Sequence, residues 1–429
     1  MKNYKQVLFL ALLLISISAA ASAQQVFVAN LSGAQEVPAV ASGGRGVCQG
    51  VLNAAQTSIT VNCRYSGLTS AASAANIHGA AAVGANASAL VSLGPVSGTS
   101  GTIPAITFAV TAQLVADLRA NKMYINIGTA NNANGEVRGQ IHIANASYDD
   151  YDGDGRTDLT IFRTSTGTWY NKSSLNGSAQ TQAWGLGTDL TSGNADFDGD
   201  GISDYAAIRV NPNTGGLTTY ILQSETNTMR ADVFGNAAFG DQIGTGDFDG
   251  DGKFDIGIFR NGTYIYIESS TGQTRYFQWG QTNDFPLQGD FDADGKSDFA
   301  VVRSVSGQQY RWIRRSSDAQ YSVIPFGVAG DANMNRTDFD GDGESDNTIR
   351  RIVNGQYYFY TLRSSDGQLM VTTWGSTGDA LKIGDFDGDG KSDYTVVRTD
   401  GSNNAVWYIL QSTTGQLRGE IWGLGSDRF

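Results

Sequence analysis

The sequence predicts an all-β chain of 429 residues, most of it an array with the period of propeller blades. Three observations carry this. A nine-residue acidic stretch recurs six times, as DYDGDGRTD, DFDGDGISD, DFDGDGKFD, DFDADGKSD, DFDGDGESD and DFDGDGKSD. The first aspartates lie 46, 51, 43, 48 and 47 residues apart, a spacing that points to propellers or arrays. The segments leaving the stretch are strand-like and rich in β-branched and aromatic residues: Leu159-Thr-Ile-Phe162, Phe299-Ala-Val-Val302 and Tyr394-Thr-Val-Val397.

The rest of the unit repeats as well. Thirteen residues after each first Asp stands an arginine: Arg163, Arg209, Arg260, Arg303, Arg351 and Arg398. Near each unit's end an aromatic precedes glycine, at Trp184, Phe234, Trp279, Phe326, Trp374 and Trp422. The last unit reads as four strands, around Ala380–Ile383, Tyr394–Arg398, Trp407–Ile409 and Arg418–Trp422. A sixfold arginine is expected to pair with an aspartate or with backbone carbonyls inside each blade, because a functional anion site is unique more often than sixfold. The aromatics are expected to pack blades; Tyr264, Tyr266, Tyr357, Tyr358 and Tyr360 are the alternative, as a face for stacking on sugar rings.

In D-x-D-x-D-G-x-x-D, four carboxylates converge if the backbone curls, and the glycine at position 6 permits that curl. Positions 1, 3, 5 and 9 are Asp150, Asp152, Asp154 and Asp158 in the first loop, and Asp196, Asp198, Asp200 and Asp204 in the second. They are Asp247, Asp249, Asp251 and Asp255 in the third, and Asp290, Asp292, Asp294 and Asp298 in the fourth. The fifth has Asp338, Asp340, Asp342 and Asp346, and the sixth Asp385, Asp387, Asp389 and Asp393. Position 7 contributes a backbone carbonyl from Arg156, Ile202, Lys253, Lys296, Glu344 and Lys391. This hard-oxygen set suits Ca²⁺, which takes six to eight oxygens, better than Mg²⁺, which demands tight octahedral geometry. About six calcium ions, one per repeat, are expected. An EF-hand needs Glu at position 12 and flanking helices, whereas here position 12 is apolar, as in Ile161 and Val396.

Charge agrees with bound cations. The chain carries 29 Lys+Arg against 42 Asp+Glu, a formal charge of −13 that six divalent ions would bring to −1. Such an acidic chain offers no basic surface for nucleic acid. Residues 1–23 read as a Sec-type signal peptide: Lys2 and Lys5, an apolar run, then Ala21-Ser22-Ala23. No later apolar run is long enough to span a bilayer. The expected mature chain is secreted, extracellular or held at the cell surface. Cys48 and Cys63 lie on two alternating runs joined by a turn near Ala55-Gln56; the hairpin register that pairs 51 with 60 also pairs 48 with 63. A disulfide is expected there in an oxidising compartment.

A composition shift divides the mature chain into residues 24–145, rich in Ala, Gly, Ser and Val, and residues 146–429, rich in Asp, Arg and aromatics. The boundary falls near Ala144-Asn-Ala-Ser147, unless the IHIAN strand serves the first blade instead. The repeats resemble the FG-GAP/VCBS family of calcium-loop β-propellers, as in the integrin α-subunit head, and six units imply six blades. The N-terminal region resembles a CHRD domain through LSGAQEVPAV (Leu31–Val40), YSGLTS (Tyr65–Ser70), NIHGAAAVGANA (Asn76–Ala87) and NGEVRGQI (Asn134–Ile141). That resemblance implies a β-sandwich. Family members often carry further histidines where this chain has Asn76 and Gly128, leaving His78 alone and no expected transition-metal site.

No nucleophile elbow, phosphate loop or H-E-x-x-H occurs, and His78 and His142 are the only histidines. No enzyme is therefore expected. The expected function is that of an exported, calcium-stabilised binding or adhesion protein recognising an extracellular protein or polysaccharide. A lyase-type polysaccharide enzyme and a passive structural component of the cell surface are the alternatives.

Overall fold

The computed structural model describes residues 25–429 apart from 54, 83, 144–148 and 192–194. The expected signal peptide and the junction near residue 145 lie outside the described residues.

The N-terminal domain contains β1 (Gln25–Ser32), β2 (Arg45–Leu52), β3 (Ser58–Ser66), β4 (Ala72–Gly79), β5 (Ala89–Ser92), β6 (Gly101–Ala109), α1 (Ala112–Arg119), β7 (Met123–Thr129) and β8 (Val137–Ile143). The strands form one hydrogen-bonded series in the order β5-β4-β7-β8-β1-β2-β3-β6. Alternation in β2 and β3 puts every second side chain into a core that includes Phe27, Leu31, Leu52, Ile59, Val61, Ile77, Ile125 and Ile127. Thr111 caps α1 by accepting the amide of Leu114, and Val115 and Leu118 close the core from that side. Cys48 stands opposite Cys63 in the register and the two are bonded, as the hairpin arithmetic requires. Ile141–Ile143, the described part of the IHIAN segment, belong to this domain, because β8 pairs with β1 and β7.

A six-bladed β-propeller follows. Blade six shows the pattern: the strands Ala380–Gly384, Asp393–Thr399, Asn404–Leu410 and Leu417–Leu424 run antiparallel from the axis outward, and the acidic loop joins the inner two. Blades three, four and five repeat it. In blade one the inner position is filled by the C-terminus, where Arg428 bridges Phe162. Blades one and six also share a core, with Leu159 and Ile161 packed among Phe386, Val397, Trp407 and Ile409.

Adjacent blades are pinned by repeated contacts. In three blades the aromatic at loop position 2 stacks on a strand residue of the next blade: Tyr151 on Tyr205 (4.5 Å), Phe248 on Phe299 (5.1 Å) and Phe339 on Tyr394 (4.1 Å). Trp184, Trp279, Trp374 and Trp422 each donate their indole N–H across to a carbonyl of the following blade, and Trp422 closes the circle on Tyr170. Two of the five tyrosines considered for a sugar-stacking face are structural instead. Tyr264 and Tyr357 are buried, with their hydroxyls donating to the carbonyls of Ala300 and Asp379, because the middle strand of each blade alternates its side chains into the blade interface.

Candidate metal centre

Each acidic loop is curled by its own first aspartate. The Oδ2 of that residue accepts the amide of the position 6 glycine at 2.7–2.9 Å in all six loops. Those glycines have φ between +82° and +88°, where a side chain would be strained. Position 9 ties the loop shut: its Oδ2 accepts the amide of position 2 at 2.7–2.9 Å. The position 7 amides of Arg156, Ile202, Lys253, Lys296, Glu344 and Lys391 brace the position 5 carboxylates at 2.8–3.0 Å.

The curl gathers the carboxylates. Asp150, Asp152 and Asp158 place one oxygen each within 4.8 Å of one another, as do Asp196, Asp198 and Asp204, and Asp338, Asp340 and Asp346. In the third and fourth loops the position 5 residue completes the trio, as Asp247, Asp249, Asp251 and Asp290, Asp292, Asp294. Positions 1 and 3 thus meet in all five of these loops, while positions 5 and 9 alternate as the third member. Asp154 is drawn aside by the guanidinium of Arg156 at 2.6 Å.

The electrostatics of these clusters ask for a cation. Burial and the charges of neighbouring aspartates push the position 1 and position 9 carboxyls up, Asp204 to about 7, and at position 5 Asp200 rises to about 8 for the same reasons. In the sixth loop burial and Asp387 hold Asp393 at about 7. Four position 3 oxygens, Oδ1 of Asp198, Asp292, Asp340 and Asp387, are buried and receive no hydrogen bond. A buried acceptor without a donor is costly, and a divalent ion at the point where the carboxylates meet would satisfy it. Donor type, convergence and unmet oxygens therefore fit Ca²⁺.

A serine in the outer turn of each blade completes the wall, and the sequence reading missed it. The amides of Ser174, Ser224, Ser269, Ser316, Ser364 and Ser412 donate to the position 9 carboxylates at 2.6–2.8 Å. Their hydroxyls donate to the position 5 carboxylates. The signal was present as a recurring turn, SLNGS, SETNT, SSTGQ, SSDAQ, SSDGQ and STTGQ, at a variable distance from the loop.

The loops also hold one another. The amide of position 8 donates to the carbonyl of position 1 in the preceding blade: Ser203 to Asp150, Phe254 to Asp196, Ser297 to Asp247, Ser345 to Asp290, Ser392 to Asp338 and Thr157 to Asp385, all at 2.6–2.9 Å. The last of these closes a continuous ring around the axis.

The recurrent arginines pair as expected. Each makes two hydrogen bonds to a nearly buried aspartate in the turn after the aromatic-glycine step, at 2.5–2.9 Å: Arg163 with Asp427, Arg209 with Asp189, Arg260 with Asp241, Arg303 with Asp284, Arg351 with Asp331 and Arg398 with Asp379. They are braces at the end of the propeller opposite the acidic loops. His78 stacks on Tyr124 (4.8 Å) and faces the carbonyl of Ala87, and His142 is buried beside Gly155.

Residues 27–141 match the family model of the CHRD domain. No curated protein matches the chain. The match covers the N-terminal domain from β1 through most of β8, and it stops short of the propeller. Among the described residues no helix is long and apolar enough to cross a membrane.

Proposed function

We propose that the chain is an exported binding or adhesion protein whose propeller, of FG-GAP/VCBS type, is held in shape by about six calcium ions. The observation that carries this reading is the sixfold loop, in which carboxylates converge and which in four of its copies leaves a buried position 3 oxygen unmet. The ion's role is structural. It replaces the mutual repulsion of four aspartates by attraction, and the ring of position 8 to position 1 hydrogen bonds spreads that gain from loop to loop. The disulfide supports an oxidising destination.

Recognition is assigned to the end of the propeller opposite the acidic loops. There the blade hairpins leave Leu186, Val210, Phe239, Phe285, Val305 and Ile352 exposed. A cleft of about 790 Å³ between blades four and five is lined by Asn283, Phe285, Arg303, Val305, Gln309 and Asn333. Mixed apolar and amide side chains suit an extracellular protein or polysaccharide. The role is non-catalytic: the loop carboxylates are committed to the ion, the six arginines to aspartates, and the histidines to packing.

Calorimetric titration of the full chain with calcium tests the ion, with about six equivalents expected and no heat overturning the reading. A glycan and protein array probed with the full chain, with and without Phe285→Ala, tests the face; binding that is unchanged by the substitution removes this cleft from the proposal.

A further inference from the structure

The acidic-loop end of the propeller is covered by the N-terminal domain. Asn30 Nδ2 donates to the carbonyl of Asp200 (2.9 Å), and Gln35 Nε2 to that of Gly153 (3.2 Å). Asn121 Nδ2 reaches the Asp385 carboxylate at 3.5 Å, and Arg64 pairs with Glu225 at 2.8 Å. Arg119 sits in the field of Asp338, Asp342 and Glu344.

Four of the landing points are position 6 glycines. A Cβ on Gly201 would meet Val28 at 2.9 Å, one on Gly155 would meet His142 at 3.1 Å, one on Gly252 would meet Gln49 at 3.2 Å, and one on Gly390 would run into the carbonyl of Arg119. These residues therefore do two things: they allow the turn around the metal position, and they present bare backbone to the other domain. Charge is complementary too. Residues 25–143 hold five basic and three acidic side chains, whereas residues 149–429 hold 22 basic and 39 acidic.

We infer that the N-terminal domain is a calcium-gated cap, docked only on loops that carry their ions. This rests on the calcium reading above. The docking surface is made of loop backbone whose positions follow from the curl, and the curl brings together four aspartates that repel one another unless a cation lies between them. Without the ions the loops relax, the glycine pads shift, and Asn30, Gln35 and Asn121 lose their acceptors. The strands of the blades, which owe their packing to aromatic and aliphatic cores, stay formed.

Hydrogen exchange of the full chain, read by mass spectrometry in millimolar calcium and in excess chelator, tests this. The expected result is exchange about tenfold faster or more in chelator for residues 28–35 and 119–122, with the strand Asn404–Leu410 still protected. A double variant, Val28→Asp with Arg119→Glu, should show the same fast segments even in calcium, while it takes up as much calcium as the wild type. Loops that loosen in chelator while residues 28–35 and 119–122 keep their protection would overturn the gate and leave the calcium reading standing. Loss of protection in Asn404–Leu410 as well would overturn the gate in favour of global unfolding. Identical exchange in both buffers together with no calcium uptake would overturn both.

Discussion

Arg163, at the end of the first strand of blade one, makes two hydrogen bonds at 2.8 and 2.9 Å to Asp427, two residues from the end of the chain. The same Arg–Asp brace occurs in the other five blades between residues 19 or 20 apart; here it joins the two ends of the propeller. Asp427 is nearly buried and its Oδ2 also accepts the amide of Leu424. Removing its charge leaves a guanidinium without its partner and opens the closing turn. Asp427→Asn should lower the unfolding free energy by about 2 kcal/mol, less than for a fully buried ion pair, because the Arg163 side chain is 24% exposed and the Asn oxygen still accepts one hydrogen bond. Truncation after Gly425 should cost more, since it also removes the bridge from Arg428 to Phe162. Urea unfolding of both variants checks this; a truncation no more costly than the point change would mean that the ring is closed elsewhere.

Calcium should separate the effects of ligand removal by sign. Asp385→Asn with Asp387→Asn removes two donors from the sixth loop. At free calcium one hundred times the dissociation constant, a lost site costs about 2.7 kcal/mol. In chelator the same variant should be no less stable than the wild type, because burial and the charges of Asp389 and Asp393 hold the Asp385 carboxyl well above its usual range. Differential scanning calorimetry in the two buffers decides it, and an equal loss in both would show that these aspartates serve the fold without an ion.

The outer-turn serines are predicted to tune the sites without forming them. Ser412→Ala removes a hydroxyl that donates to Asp389 at 2.9 Å and leaves the amide bond to Asp393 in place. A loss near 1 kcal/mol, about fivefold in affinity for one site, is expected. Competition with a calcium indicator would reveal it as one weakened equivalent among six; a variant that loses the site outright would make the serine a ligand rather than a brace.

Much of this was legible because its signals are local. The loops, the four strands of the last unit and the Cys48–Cys63 pair each sit within one short stretch whose spacing dictates the geometry. The partner of Arg163 was not legible, because it lies 264 residues away and belongs to blade one only after the ring has closed. The ring of loop-to-loop hydrogen bonds hides for another reason: it uses backbone groups, and position 8 is Thr157, Ser203, Phe254, Ser297, Ser345 or Ser392 without changing the contact. The burial of Tyr264 and Tyr357 was decided by strand parity, which residue type alone does not reveal. Docking of the N-terminal domain on the position 6 glycines left no mark beyond glycines that the turn already explained.

Acid should unfold the N-terminal domain through Glu136. This carboxylate is fully buried. Burial opposes its ionisation, yet hydrogen bonds from Ser42, from the amide and hydroxyl of Thr69, and from Thr129 outweigh burial and bring its pKa down to about 2. A folded-state value below the unfolded 4.5 means the stabilisation is complete above pH 4.5 and is lost as the pH falls towards 2. A shift of that size corresponds to roughly 3 kcal/mol. Glu136→Gln keeps the shape and cannot ionise, so it should be markedly less stable than the wild type at pH 7 and close to it near pH 2. Calorimetry of both proteins across that range is the check. A gap that stays constant with pH would show that Glu136 contributes through hydrogen-bond geometry alone, with its charge playing no part.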